Sequence, residues 1–176
     1  MVWRVPPGQA YWRENKGAPN RRAFKRLIVG GSALGCLAFA GDEPVGWVSI
    51  GPKPAFDFLV RSRTLGSDLV PSTWSITCFF VPAKWRAKGV AAALLTGAVK
   101  LARASGADVV EGYPVAPSKP GKMPAVFAWT GVPRLFAAAG FVPVNPTPRG
   151  RSTYRKVLRQ RKKNPAGGGR GSNVTR

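Results

Sequence analysis

The segment Trp74-Ser-Ile-Thr-Cys-Phe-Phe-Val81 constrains the fold more than any other stretch of the chain. Successive side chains of a strand point to opposite faces, so Trp74, Ile76, Cys78 and Phe80 are expected on one side and Ser75, Thr77, Phe79 and Val81 on the other. Both sides carry apolar weight, the pattern of a central strand covered on both faces. A basic turn follows, Pro82-Ala-Lys-Trp-Arg-Ala-Lys-Gly89. Beyond it Val90, Leu94, Ala98 and Leu101 recur at i, i+4, i+8 and i+11, one face of a helix. A glycine turn with several cations between a strand and a helix is an anion site by its physics. Backbone N–H groups point outward there, and the helix start carries partial positive charge.

The remaining segments build a sheet around this unit. Asn20 is a candidate cap for a helix over Arg21–Val29, with Phe24, Leu27 and Ile28 as its apolar stripe and Gly30-Gly31 as its stop. Leu34–Ala40 and Val45–Ile50 read as strands joined by the turn Gly41-Asp-Glu-Pro44, hence a hairpin. A short helix is expected over Ala55–Arg63, a loop over Thr64–Ser72, and a strand over Asp108–Val115. A helix from Thr130 to Ala139 ends at Gly140 and is followed by strands over Phe141–Val144 and Ser152–Leu158. The expected class is mixed α/β around one sheet. Three regions result: residues 1–18, an arm whose aromatics pack on the body; residues 19–158, the domain; and residues 159–176, a basic, glycine-rich tail expected to be disordered.

Composition narrows the chemistry. At 176 residues, 44% of them hydrophobic, the chain can bury a core as one domain. It has no histidine, which removes histidine-based triads, bases and metal ligands together. Two distant cysteines, Cys36 and Cys78, make neither a disulfide framework nor a zinc pattern, and point to a reducing compartment. No apolar stretch is long enough to span a membrane and the first residues lack a signal-peptide core, so a soluble, cytoplasmic protein is the expectation. Lys+Arg number 28 against 7 Asp+Glu, a net charge of +21, and every acid lies at or before Glu111. Such a field favours polyanions, so weak, salt-sensitive nucleic-acid contact through the tail is one expectation.

The turn Arg86-Ala-Lys-Gly-Val-Ala91 is neither a Walker loop nor a dinucleotide fingerprint, which need glycines at other spacings. Val81-Pro-x-x-x-Arg86-x-x-Gly89-x-Ala91, followed by the alanine- and leucine-rich helix, resembles the acetyl-CoA motif of the GNAT family of N-acetyltransferases. Pro133-Arg-Leu-Phe-Ala-Ala-Ala-Gly-Phe141 is similar to that family's helix ending in Gly-Phe, and the strand Val109–Val115 falls at the family's spacing. The resemblance covers residues 19–158, and Glu-Pro-Val-Gly-Trp-Val and Val-Glu-Gly-Tyr-Pro-Val look like an actinobacterial-like bacterial branch. It implies a GNAT fold: a mostly antiparallel sheet, splayed between strands 74–81 and 108–115 and flanked by helices. It also implies acetyl-CoA as co-substrate and an amine, on a small molecule or a protein, as acceptor; a homodimer is compatible with it.

What the resemblance implies for single residues is specific. The pyrophosphate would take N–H groups from Arg86, Ala87, Lys88, Gly89, Val90, Ala91 and Ala92. The pantetheine would pair with the main chain of Phe79, Phe80 and Val81. The N–H of Phe79 would polarise the thioester carbonyl, and the amine would attack directly, without an acetylated enzyme. Many relatives carry a tyrosine four residues before the glycine of Gly-Phe, to protonate the departing thiolate; this chain has Phe136. Trp129 and Thr130 stand where relatives often have an asparagine. Glu111, in an apolar strand beside the cleft, is the candidate base; the alternative is that it pairs with an arginine and fixes the sheet. Tyr113 is the candidate acid and Tyr154 a weaker one, with core packing the alternative for Tyr113. Cys78 lacks a histidine to activate it as a nucleophile. Phe136 keeps open a second reading, a module that holds acetyl-CoA with little turnover.

Overall fold

The computed structural model describes residues 2–4, 14–65, 72–116, 128–146 and 150–158. The aromatic pair Tyr11-Trp12 and the basic tail 159–176 lie outside them. The first helix, α1, spans Ala18–Val29 and begins earlier than Asn20 predicts. Pro19 supplies the fixed φ of a first turn and Gly17 enters it at φ +82°, so Asn20 lies inside the helix instead of capping it. Strands β1 (Leu34–Ala40) and β2 (Glu43–Pro52) form the expected hairpin, turned at Gly41 with φ +58°. A 3-10 turn over Lys53–Ala55 leads into a short helix α2 (Asp57–Arg61).

Strand β3 (Thr73–Phe80) passes through the turn to helix α3 (Val90–Ala104). Next come β4 (Val109–Gly112), β5 (Val115–Ala116), helix α4 (Pro133–Ala138), β6 (Val142–Pro143), β7 (Gly150–Arg151) and β8 (Tyr154–Val157). The strand expected over 108–115 is thus two pieces. Pro114 has no N–H for a ladder, and past it β5 pairs with β7 in a separate two-stranded sheet.

The main sheet has the order β1-β2-β3-β4-β8-β6, and only the β3–β4 pairing is parallel. One face is covered by α3, which buries Leu94, Leu95, Ala98 and Ala102 against Val48, Ile50, Trp74 and Ile76. Each buried leucine contributes roughly 1.5–3 kcal/mol. The alanines let the helix sit close, and Gly46 lies beneath Val90 and Leu94, where a Cβ would come within 2.8 Å of the valine. The other face carries a smaller cluster: Trp3, Phe56, Leu59, Leu65 and Tyr113. Trp3, 4% exposed, stacks on Tyr113 with ring centroids 5.7 Å apart.

The strict alternation expected of β3 fails at one point. Ser49 pairs with Cys78 and Ile50 with Ile76, so Thr77 is an extra residue, a β-bulge. Side-chain parity reverses there. Phe79 joins Trp74 and Ile76 in the α3-side core, while Phe80 is 59% exposed. Among the described residues no helix is long and apolar enough to cross a membrane.

Candidate acetyl-transfer site

β3 and β4 are paired only from Thr73↔Val109 to Ile76↔Gly112. β4 then stops, whereas β3 continues to Phe80 with only β2 beside it. The unpaired edge faces a cavity of about 640 Å³. One wall is Phe79, Phe80, Val81, Arg86 and Ala91; the other is Ala128, Trp129, Gly131, Val132 and Leu135. A second cavity of about 550 Å³ shares Val81, Arg86, Ala91, Val132 and Leu135 with it, so the two form one continuous cleft. It continues along the turn, past Ala87, Gly89, Val90 and Ala92, to Arg134 and Ala138.

The notch is held open by Phe136, which is fully buried. Its ring packs edge-on against Phe79 (6.1 Å) and Phe141 (5.2 Å). It lies over Gly112, where a Cβ would come within 2.1 Å of the ring, and beside Gly131, where a Cβ would come within 2.7 Å. Gly131 also has φ +87°, so the position is reserved for glycine twice over. Phe136 is therefore a wedge at the point where the strands part, and its ring does not line the cleft.

The turn itself is tightly wound. Ala87 (φ +59°) and Gly89 (φ +79°) are both left-handed, and no side chain caps α3. A helix start leaves its first N–H groups without intrahelical acceptors. The Ala92 N–H bonds the Gly89 carbonyl at 3.0 Å, so Gly89, Val90 and Ala91 supply the outward donors. Arg86 Nε donates to the Val81 carbonyl at 3.0 Å, tying the turn to the end of β3. Nine of the ten residues that the resemblance implies for the cofactor, Phe79, Phe80, Val81, Arg86, Ala87, Gly89, Val90, Ala91 and Ala92, line this one cleft. Lys88 is outside the lining; its ammonium lies over the Trp85 ring at 5.0 Å. Arg134, a cleft cation on α4, was not singled out by the sequence, since an isolated arginine in a helix carries no signal.

Glu111 and Tyr113 do not line this cleft. Register sets Ser75, Glu111 and Arg155 in one row across β3, β4 and β8. Glu111 is fully buried. Arg155 donates from Nε and Nη2 to Oε1 at 3.1 and 2.8 Å. Lys53 Nζ, 1% exposed, donates to Oε2 at 2.8 Å. The Tyr113 hydroxyl donates to the same oxygen at 3.1 Å. Because a carboxylate only accepts, the Ser75 hydroxyl then donates to Tyr113, at 2.9 Å. This geometry fits the pairing alternative for Glu111. The sequence offers an arginine as partner without saying which; strand register supplies Arg155, and the turn after β2 brings in Lys53, which no sequence signal marks.

Burial, with the Glu111 charge next, holds the Tyr113 phenol well above the ordinary tyrosine range. A raised folded value means that the associated stability is complete below about pH 10 and is lost as pH rises further. Alkaline unfolding is therefore expected to be blunted in Tyr113→Phe, which itself costs about 1 kcal/mol at neutral pH; urea titrations at pH 8 and 11 check both. Burial likewise raises the Cys78 thiol, against thiolate formation. Tyr154 packs beside Phe136 at 6.2 Å.

A model of the acetyltransferase (GNAT) family matches residues 6–117, and the chain belongs to that family. The match takes in the strand, turn and helix but ends before Phe136. No curated protein sequence matches the chain. Several solved structures share the fold. A ribosomal-protein-alanine N-acetyltransferase from Brucella melitensis has a TM-score of 0.51 at 17% identity, over 79% of this chain and 77% of its own. The paiA N-acetyltransferase of Thermoplasma acidophilum, solved with coenzyme A, has a TM-score of 0.53 at 12% identity over 85% and 77%. The yncA protein of Salmonella typhimurium, solved with its cofactor acetyl-CoA, has 0.53 at 16% identity over 88% and 82%.

Proposed function

We propose that the protein is an acetyl-CoA-dependent N-acetyltransferase that passes the acetyl group directly to an amine in a ternary complex. The observation that carries this is the continuous cleft from the free edge of β3 to the uncapped start of α3. Its inner part is apolar and strand-edged, suited to an extended pantetheine arm; its outer part has outward N–H groups with Arg86 and Arg134, suited to the pyrophosphate. Acetyl-CoA supplies an activated thioester. The main chain at Phe79 lies on the free edge, where its N–H is our candidate for polarising the carbonyl oxygen.

Balance requires the amine nitrogen to form the new C–N bond, the C–S bond to break, and one proton to pass from the amine to the departing thiolate. None of the side chains lining the described cleft carries a carboxylate, hydroxyl or imidazole. We assign that proton transfer to water, and catalysis to holding amine and thioester together. The surrounding cations assist, because they disfavour an ammonium and so favour the nucleophilic free amine. In this reading Glu111 and Tyr113 hold the sheet, and Lys88 contributes charge near the turn. The absence of a proton-handling side chain from this lining also favours a second reading, a module that binds acetyl-CoA with little turnover.

Calorimetry with acetyl-CoA, followed by free-thiol release in the presence of acceptors, tests both. Binding with acceptor-dependent thiol release is expected. Binding without release under any acceptor would select the module, and no binding would remove both readings. In Gly89→Ala the left-handed conformation costs roughly 1–2 kcal/mol, so acetyl-CoA affinity is expected to fall about tenfold, with the core intact.

A further inference from the structure

Val48 and Ile50 of β2 face the core under α3, so Trp47 between them faces the other side of the sheet. Helix α1 rests on that side through Phe24, whose ring meets Trp47 edge-on with centroids 5.8 Å apart. None of the residues of α1 is buried. Arg21, Arg22, Lys25 and Arg26 are all exposed. Arg21 and Lys25 stand four residues apart, and so do Arg22 and Arg26, so like charges lie one turn above another, which destabilises a helix. No acid occurs from Asn15 to Gly41, and among the described residues no ion pair engages these four cations. A local rule broken without compensation inside the chain marks a surface shaped for something outside it. Apolar side chains adjoin the helix. Leu37 is the cross-strand neighbour of Trp47, and Phe39 follows it on the same face of β1. Each is 58% exposed, on the outer strand of the sheet.

We propose that α1, with Leu37 and Phe39 of β1, forms a nucleic-acid-binding surface, and that its partner is a single strand. The cations of α1 hold phosphates; three of the four are arginines, whose planar fork suits phosphate oxygens. The exposed Phe39 ring offers a stacking partner to an unpaired base, which a duplex, with its bases already stacked on one another, does not use. A second copy of the chain would set four more cations against these four, with a net charge of +21 on each copy, so self-docking is opposed. An acidic peptide would answer the charges without needing the ring. The surface uses none of the residues that line the transfer cleft, and it stands whether or not acetyl transfer does. It places on the folded domain a contact that the sequence suggests only for the tail.

The test uses the full chain and a fluorescein-labelled, mixed-sequence single-stranded RNA of about 20 nucleotides, longer than a typical site of this kind. Anisotropy is read across a salt series. In Arg22→Gln/Arg26→Gln affinity at about 50 mM salt is expected to fall about tenfold or more, and the slope of log K against log salt to flatten by about 1.4, the share of two phosphate contacts on a single strand. Lys100→Gln/Arg103→Gln removes the same charge from exposed positions on α3, across the sheet, and is expected to stay within about threefold of the unaltered chain. Phe39→Ala is expected to weaken binding about tenfold with the slope unchanged, because stacking releases no counterions. A duplex of the same sequence is expected to respond to the α1 pair but not to Phe39→Ala. Thermal denaturation reports that each variant is folded, with Tm unchanged or raised in Arg22→Gln/Arg26→Gln because repulsion is relieved. No binding at about 50 mM salt, equal losses in the two paired variants, unchanged affinity in Phe39→Ala, or displacement of the RNA by acetyl-CoA would each overturn the assignment; the last would move the anion site to the turn before α3. Displacement by polyglutamate, at matched charge, as readily as by unlabelled RNA would overturn it in favour of an acidic protein.

Discussion

Replacing Glu111 by glutamine is expected to lower stability by about 3–5 kcal/mol, because it strands a buried lysine beside a largely buried arginine. Both oxygens of Glu111 are occupied, one by Lys53 and Tyr113 and the other by Arg155. These partners come from the segment after β2, from the residue just past β4 and from β8, and Ser75 of β3 adds a bond through Tyr113. Removing the charge therefore loosens the centre of the sheet, with a fall in Tm of roughly 10 °C or more for a chain of this size. Where the variant still folds, at reduced temperature, acetyl transfer is expected to keep the shape of its pH profile. A catalytic base would behave in the opposite manner: unchanged Tm, a kcat lower by about 10²–10⁴, and loss of the acidic limb. Thermal denaturation and a pH–rate profile on the same preparation separate the two.

The second large effect is expected at Gly112→Ala, where the new methyl would lie 2.1 Å from the Phe136 ring. Phe136 cannot retreat easily, since Phe79, Phe141 and Gly131 surround it. Overpacking of this kind costs typically 1–3 kcal/mol, and about 3 is expected here because the contact is with a rigid ring. Acetyl-CoA affinity should fall with it, as the ring is pushed toward Phe79 and the free edge of β3. Adding Phe136→Leu to Gly112→Ala is expected to recover stability, a coupling that a double-mutant cycle reads directly. Additive losses would mean that the ring does not hold the notch. The packing also gives a physical account of phenylalanine at this position: a hydroxyl on that ring would be buried in an apolar cluster.

The parts of this architecture legible in sequence are those with local causes. The strand–turn–helix from Trp74 to Leu101 announces itself through periodicity and through a glycine where left-handed backbone is needed. The hairpin of β1 and β2 follows from the Gly41 turn. Other parts escaped for identifiable reasons. Asn20 looked like a cap because its side chain suits one, yet Gly17 and Pro19 begin the helix first. Val109–Val115 read as continuous because its apolar pattern outweighed one proline. The Lys53–Glu111–Arg155 ion-pair cluster depends on contact between segments far apart in sequence, which no window of residues displays. Trp3 reads in the sequence only as part of an aromatic arm; its place between Tyr113 and Trp129 emerges when the sheet closes beneath it.

The bulge at Thr77 divides β3 into two halves with separate design constraints. Up to Ile76 the strand answers to the core, and substitutions there are paid for in folding. Beyond it, Phe80 is mostly exposed at the cleft, with its neighbour Phe79 alone anchored inward. Position 80 can therefore vary in size and polarity with little consequence for folding, whereas a change at position 79 disturbs the interior as well as the cleft wall.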